Sequence, residues 1–235
     1  MKITAIYGTS HAGSTVQIAR MLLARLPHGP GDVQEFFLPQ DFGHFCTGCN
    51  ACFQVPVPLC AQAHLELEPI LAAMDEADLL LFASPTYVYH VTGAMKAFLD
   101  HFGCRWMIHR PNPLMFTKKA VLITTAAGGG MQSALNDLAD SMFYWGVPTV
   151  LRYQKAVHAL SWDRVSDSTK ASISRDLDGL ASKARRPVGG PSPKQRMLFA
   201  AMARIQRKGG YPADATYWNA QGWTQGRRPW KDVSK

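Results

Sequence analysis

Residues 77–84, Ala-Asp-Leu-Leu-Leu-Phe-Ala-Ser, form a nearly continuous apolar run of strand length. A strand with no polar face must be covered on both sides, which is the setting of a central strand in a parallel sheet. Residues 120–125, Ala-Val-Leu-Ile-Thr-Thr, repeat the pattern. Shorter strand-like runs occur at 3–7, 33–38 and 149–153. Between the runs, apolar residues recur at helical spacing over 16–23, 65–74, 94–101 and 131–144, and a further helix is expected over 168–184. Five strands alternating with helices predict an α/β fold with a doubly wound parallel sheet. No internal repeat is visible.

Ligands of such sheets bind beyond the carboxyl ends of the strands. Three loops at those ends are small, hydroxyl-bearing or glycine-rich: Gly8–Thr15, Ser84–His90 and Thr125–Gly130. In the first, Thr9, Ser10, His11, Ser14 and Thr15 stand between a strand and a helix. A helix N-terminus offers unpaired N–H groups and about half a positive charge, so this geometry binds a phosphate. The alternative for the same residues is a turn followed by an N-cap. The loop lacks the Lys-Ser/Thr pair of a Walker loop and the G-x-G-x-x-G spacing of the dinucleotide fingerprint. In the second loop, Pro85 fixes a turn, Thr86 supplies a hydroxyl, and Tyr87 and Tyr89 flank Val88 with flat faces suited to a planar ring system. Tyrosines capping a sheet edge are the structural alternative. Convergence of the three loops favours one ligand bearing a phosphate.

Four of the five cysteines are clustered as Cys46-x2-Cys49-x2-Cys52-x7-Cys60. This is not a secreted disulfide framework, and a reducing, cytoplasmic compartment is expected. Four thiolates in one loop suit a cubane 4Fe–4S cluster; an all-cysteine zinc site and free thiols are the alternatives. The loop is placed to reach the ring end of the ligand pocket. Cys104 reads as a small buried hydrophobe. His90 and His109 read as surface or satisfied residues rather than catalysts.

The charge is uneven. Residues 183–235 hold 12 Lys/Arg against 2 acids, while the preceding residues are slightly acidic and the whole chain carries +8. Pro187–Pro193 has the composition of a linker, so 1–186 is read as one domain and 187–235 as a basic, aromatic extension with a helix over 194–208. Basic residues interleaved with Tyr211, Tyr217, Trp218, Trp223 and Trp230 imitate a nucleic-acid stacking surface, but no nucleic-acid-binding signature accompanies them. A tail folded over its own or a partner's domain is the better reading. The apolar runs are too short to span a bilayer, and Met1-Lys2-Ile3-Thr4 leads straight into a strand, so neither a membrane segment nor a secretory signal is expected.

Taken together, Ser10-x-x-Gly13-Ser14-Thr15, Ser84-Pro85-Thr86-Tyr87, residues 93–100 and Thr125-Ala126-Ala127-Gly128-Gly129 resemble the flavodoxin-like NAD(P)H-dependent FMN reductases. The cysteine motif, with Tyr217-Trp218 and Gly222-Trp223, resembles the subgroup that includes the iron–sulfur flavoproteins. The resemblance implies strand order 2-1-3-4-5 and non-covalent FMN. The phosphate would rest on Ser10, His11, Ser14 and Thr15, and the ring against Pro85–Tyr89 and Ala126–Gly129. It also implies NAD(P)H as reductant, a small-molecule acceptor or redox partner protein, and a homodimer or homotetramer. The alternatives are an iron–sulfur flavoprotein in electron transfer and a flavin-bearing redox sensor or interaction protein with the basic tail as its partner-binding element. Family members more often have a basic residue and Asn at the positions of His11 and Ser14, a departure that leaves the loop's donors in place. Lys96 and Asp100 match a family helix in which structural roles are expected.

Overall fold

The computed structural model describes residues 1–55 and 60–231. Five parallel strands, β1 (Ile3–Tyr7), β2 (Val33–Phe37), β3 (Leu79–Pro85), β4 (Lys119–Ala126) and β5 (Thr149–Ala156), form one sheet in the order β2-β1-β3-β4-β5. Helices α1 (Ser14–Leu23), α2 (Ala51–Gln54), α3 (His64–Glu76), α4 (Gly93–Asp100), α5 (Met131–Trp145), α6 (Asp167–Arg185), α7 (Pro193–Arg207) and α8 (Pro212–Ala220) surround it. The sheet is the flavodoxin-like one expected.

The period of two along each strand divides the core into layers. Ile6, Leu80, Phe82, Ala120 and Leu122 point to the face covered by α3, α4 and α5. Ile3, Ala5, Tyr7, Leu79, Leu81, Val121 and Ile123 point to the face covered by α1 and α6. Every residue of β1 is buried, as are the first six of β3. The same alternation sends two adjacent lysines to opposite layers at the start of β4. Lys118 Nζ donates to the carbonyls of Asp75 and Ala77 at the end of α3, at 2.7 and 2.6 Å. Lys119 Nζ donates to Ala184 O at the end of α6, at 2.6 Å. Each ammonium thereby satisfies carbonyls where the helix dipole is negative, although burial holds both pKa values below the ordinary lysine range.

Helices α7 and α8 pack on the preceding part of the same chain. Phe199 and Ala203 of α7, Trp218 of α8, and Trp223 form a third apolar cluster with Met107 and Phe116. Gln195 Nε2 donates to Val147 O at 3.0 Å, Tyr217 Oη donates to Pro111 O at 2.7 Å, and the Trp218 indole donates to His109 O. Helix α7 opens with a capping box, Ser192 accepting from Gln195 N while the Gln195 side chain accepts from Ser192 N. Trp218 and Trp223, with Tyr217 and Trp230 against them, thus close a seam within one chain, while Tyr211 stays exposed. Among the described residues no helix is long and apolar enough to cross a membrane.

Candidate functional site

Loops after β1, β3 and β4 leave the same edge of the sheet and are bonded to one another. Thr92, the N-cap of α4, is the tie. Its hydroxyl donates to Gly8 O at 2.6 Å and accepts from Met95 N, while its N–H donates to Ser84 Oγ at 3.2 Å. The first and second loops approach so closely that a Cβ on Gly8 would lie 2.8 Å from Ser84 Oγ and 2.9 Å from Thr92 Oγ1. Thr86 N donates to Thr125 O, joining the second loop to the third.

The N-cap position of α1 is Gly13, with extended backbone and no side-chain cap bond, and its first turn contains no acid. No side chain caps the helix, so the first-turn N–H groups are open to an anion. Ser10 and His11 are exposed beside them, Thr9 and Ser14 half-buried. Thr9 Oγ1 accepts from His11 N at 3.1 Å, which shapes the loop. Thr15 behaves differently from its neighbours. Its hydroxyl is buried against Thr125 Oγ1 at 2.6 Å, tying the first loop to the third instead of facing the opening.

Tyr87 and His90 exchange backbone hydrogen bonds, closing a two-residue turn with Val88 at φ 48° and Tyr89 at φ 67°. Positive φ at both central positions is the type I′ geometry, which normally takes Asn or Gly and is strained for a β-branched residue. Asp137 of α5 holds the turn, accepting from Val91 N at 3.2 Å and meeting His90 Nδ1 at 3.0 Å. Tyr87, Val88 and Tyr89 are exposed, and the Tyr89 ring lies so close over Gly130, at φ 83°, that a Cβ there would stand 2.6 Å from it. Ala127, Gly128 and Gly129 are exposed, Ala126 half-buried, and a Cβ added at either Gly128 or Gly129 would meet nothing within 4 Å. Thr86 Oγ1 is buried without a hydrogen-bond partner. A stranded hydroxyl, a glycine edge opening on free space and an uncapped helix therefore stand at one end of the sheet. Sequence reasoning missed Thr92 and Asp137, the residues that hold these loops. The Thr-Gly-Ala-Met start of α4 was a readable capping signal for the first; nothing in the sequence marked the second.

The cysteine loop lies elsewhere. Cys46, Cys49, Cys52 and Cys60 line one small recess of about 50 Å³ with Asp100, His101 and Gly103 at the C-terminal end of α4. Its lining includes no residue of the loops after β1, β3 or β4, and α4 separates it from Thr92 by about 12 Å of helix. Cys46 and Cys49 are exposed, Cys52 is half-buried and Cys60 is buried. Burial is the main cause that raises the Cys52 thiol pKa, with the neighbouring Cys60, Cys46 and Cys49 adding to it. Cys104 is fully buried as expected, but it also interacts with Cys52, and burial pushes its thiol up to about 12. Among the described residues no three His, Cys, Asp or Glu side chains converge into a metal cage.

A family model described as NADPH-dependent FMN reductase matches residues 1–160, the whole sheet and all three loops. The chain belongs to the NADPH-dependent FMN reductase family. Two iron–sulfur flavoproteins are among the family relatives. One from Archaeoglobus fulgidus is 24% identical over 152 residues, covering 64% of this chain and 66% of that one. One from Clostridioides difficile is 29% identical over 128 residues, covering 53% and 54%. The matches thus span about half to two thirds of the relatives' own length. Among solved structures, an azoreductase from Bacillus anthracis superposes with a TM-score of 0.62 at 15% identity, covering 78% of this chain and 99% of that one. An FMN-dependent NADH-azoreductase from Bacillus anthracis, in complex with FMN, gives 0.55 at 11% identity, covering 77% and 100%. At these identities the likeness establishes the fold of this reductase family member.

Proposed function

We propose that this chain is an FMN-dependent NAD(P)H oxidoreductase that passes electrons to a quinone, a nitro or azo compound, or another small acceptor. The observation that carries this reading is the uncapped, acid-free start of α1 beside the stranded Thr86 hydroxyl and the open Gly128–Gly129 edge. Bound FMN would supply hydride acceptance and onward electron transfer. Ser10, His11, Ser14 and the first-turn N–H groups of α1 would hold its phosphate. Thr15 would act indirectly, by fixing α1 to Thr125. Thr86 and the 85–89 and 126–129 segments would orient the ring. Residues 1–186 would form the cofactor unit, with 187–235 as its extension. A homodimer or homotetramer and a cytoplasmic setting belong to the same proposal. Oxidation of NADH or NADPH by the flavin-loaded protein, with a quinone or dye as acceptor, tests it. A protein that neither retains nor takes up FMN, or that oxidises neither nicotinamide, would sink it.

Gly128→Val separates a ring-binding edge from a structural turn. A Cβ at this exposed position meets no protein atom within 4 Å, so apoprotein stability should change by no more than about 0.5 kcal/mol. Displacement of the ring should lower FMN affinity by at least about ten-fold, or roughly 1.4 kcal/mol. FMN titration and thermal unfolding of the apoprotein read the two effects. Equal losses would make the position merely structural.

A second reading, an iron–sulfur flavoprotein working in electron transfer, is favoured by the four cysteines that line one recess. Cys46, Cys49, Cys52 and Cys60 are the donor set a 4Fe–4S cluster takes, and they would hold it at the end of α4. Because that recess lies apart from the candidate FMN loops of the same chain, this reading favours electron exchange across a subunit boundary. Cys52→Ser should then abolish sulfide-linked absorbance and leave reduction of FMN by NAD(P)H intact. Anaerobic spectra with iron and sulfide analysis decide it. Reconstituted protein without iron, or a Cys52→Ser spectrum unchanged from the unsubstituted chain, leaves the plain reductase.

A further inference from the structure

Where the cysteine loop meets the extension, a cavity of about 440 Å³ is lined by Asn50, Phe53, Gln54, His109 and Tyr211. This is the volume of a small-molecule site. We propose that it binds a phenol, with the ring among Phe53, His109 and Tyr211 and the hydroxyl on His109 Nε2. The site does not depend on the FMN reading, because its lining includes none of the three loops that carry that reading.

The geometry around His109 supports this assignment. Asp214 of α8 is 1% exposed and uses both oxygens: Oδ2 meets His109 Nδ1 at 2.8 Å, and Oδ1 accepts from Arg110. A carboxylate only accepts, so Nδ1 is the donor in this pair, and the tautomer that this bond selects leaves the Nε2 lone pair as an acceptor. Nε2 has no partner among the described residues, and His109 lines the cavity. Phe53 sits against the imidazole with centroids 4.6 Å apart at 53°, and the Tyr211 ring lies 6.4 Å from it at 58°. Tyr211 is 70% exposed, an aromatic ring left over an open cavity rather than packed into the apolar seam beside it. Aromatic walls, two amides and an imidazole nitrogen left without a partner suit a planar ring bearing an acidic hydroxyl. When such a hydroxyl is acidic enough, its O–H bond breaks and the proton moves to Nε2. The imidazolium so formed rests against the Asp214 carboxylate, and the phenolate oxygen accepts the new Nε2–H. No electrons move.

The probe is 4-nitrophenol, added without nicotinamide to the full-length protein as purified, at a pH where the free probe is mostly neutral. Saturable binding is expected by equilibrium dialysis, with a phenolate band growing in the difference spectrum. His109→Gln keeps a hydrogen-bonding side chain but cannot take the proton. It should bind at least ten-fold more weakly and show no phenolate band. Tyr211→Ala, a change at an exposed residue, should weaken binding several-fold and keep the band at saturation. The proposal is overturned by any of three results: no saturable binding up to millimolar probe, the same affinity and band in His109→Gln, or binding lost in Gly128→Val but kept in His109→Gln. That last outcome would place the probe on the candidate FMN loops. Should His109→Gln fail to fold, an unchanged affinity in Tyr211→Ala would overturn it.

Discussion

A chain carrying Ser14→Asp is expected to purify without FMN, while its apoprotein unfolds at a slightly higher denaturant concentration than the unsubstituted apoprotein. Ser14 is the first residue of α1, next to an N-cap glycine that contributes no side-chain bond, in a first turn without acids. An anion there is stabilised by unpaired N–H groups and the helix dipole, and a fixed carboxylate would take the place of a phosphate. Two like charges about 4 Å apart cost about 4 kcal/mol at an effective dielectric of 20, so affinity for a phosphate dianion should fall by a factor of at least about a thousand. In the apoprotein the sign reverses, because an acid at a helix N-terminus is worth about 0.3–1 kcal/mol. Opposite signs distinguish loss of an anion site from damage to the fold. Ser14→Ala should cost only about 1 kcal/mol of binding, the net value of one hydrogen bond. Stoichiometric FMN in purified Ser14→Asp protein would move the phosphate site elsewhere.

The sheet was readable because β3 and β4 are apolar on both faces, a pattern with few other uses in a chain of mixed composition. Helices α3 to α6 begin and end within about two residues of where their spacing placed them. Strand β5 runs on to Ala156, beyond the expected end at 153, since Gln154 and Lys155 give an edge strand no apolar signal. Helix α8 was not foreseen. It is nine residues long, and its buried positions, Asp214 and Trp218, are chosen by contacts with residues 104 to 109 positions away. The candidate site was legible as loops but not as a framework. Spacing identifies hydroxyls near a helix start, but it cannot show that Thr15 turns inward to Thr125 while Ser14 stays half-exposed. A type I′ turn built from Val88 and Tyr89 has none of the residues that announce one, and depends on Asp137 from a distant helix. The cysteine spacing indicated four thiols in one place but not Cys104 against Cys52, nor the position of the recess at the end of α4. His109, which its sequence context marks as an ordinary satisfied histidine, is indeed paired, yet its partner's position leaves its other nitrogen unpartnered on a cavity wall.

Asp214→Ala should lower the stability of the folded chain by about 3–5 kcal/mol, the range for breaking a buried ion pair from one side. Arg110 is fully buried, and its guanidinium donates to Asp214 and to the Cys52 and Phe53 carbonyls, while Nε has no partner. Removing the carboxylate leaves a cation in the interior with only carbonyl dipoles to face. The pair therefore joins the extension to the cysteine loop, with Arg110 as the shared element. For a chain of this size the loss corresponds to a fall in melting temperature on the order of 10 °C. The double substitution Arg110→Met with Asp214→Leu should recover part of it, because it removes both buried charges, while the Cys52 and Phe53 carbonyls and His109 Nδ1 lose their partners. In metal-free, reduced Asp214→Ala protein, the half-buried Cys52 should also react faster with a thiol reagent, since the carbonyl beside it is anchored by Arg110. Urea denaturation gives the first quantity and thiol labelling the second. A variant within about 1 kcal/mol of the unsubstituted chain, with Cys52 as slow as before, would mean that the apolar seam around Trp218 and Phe199 holds the extension without the ion pair.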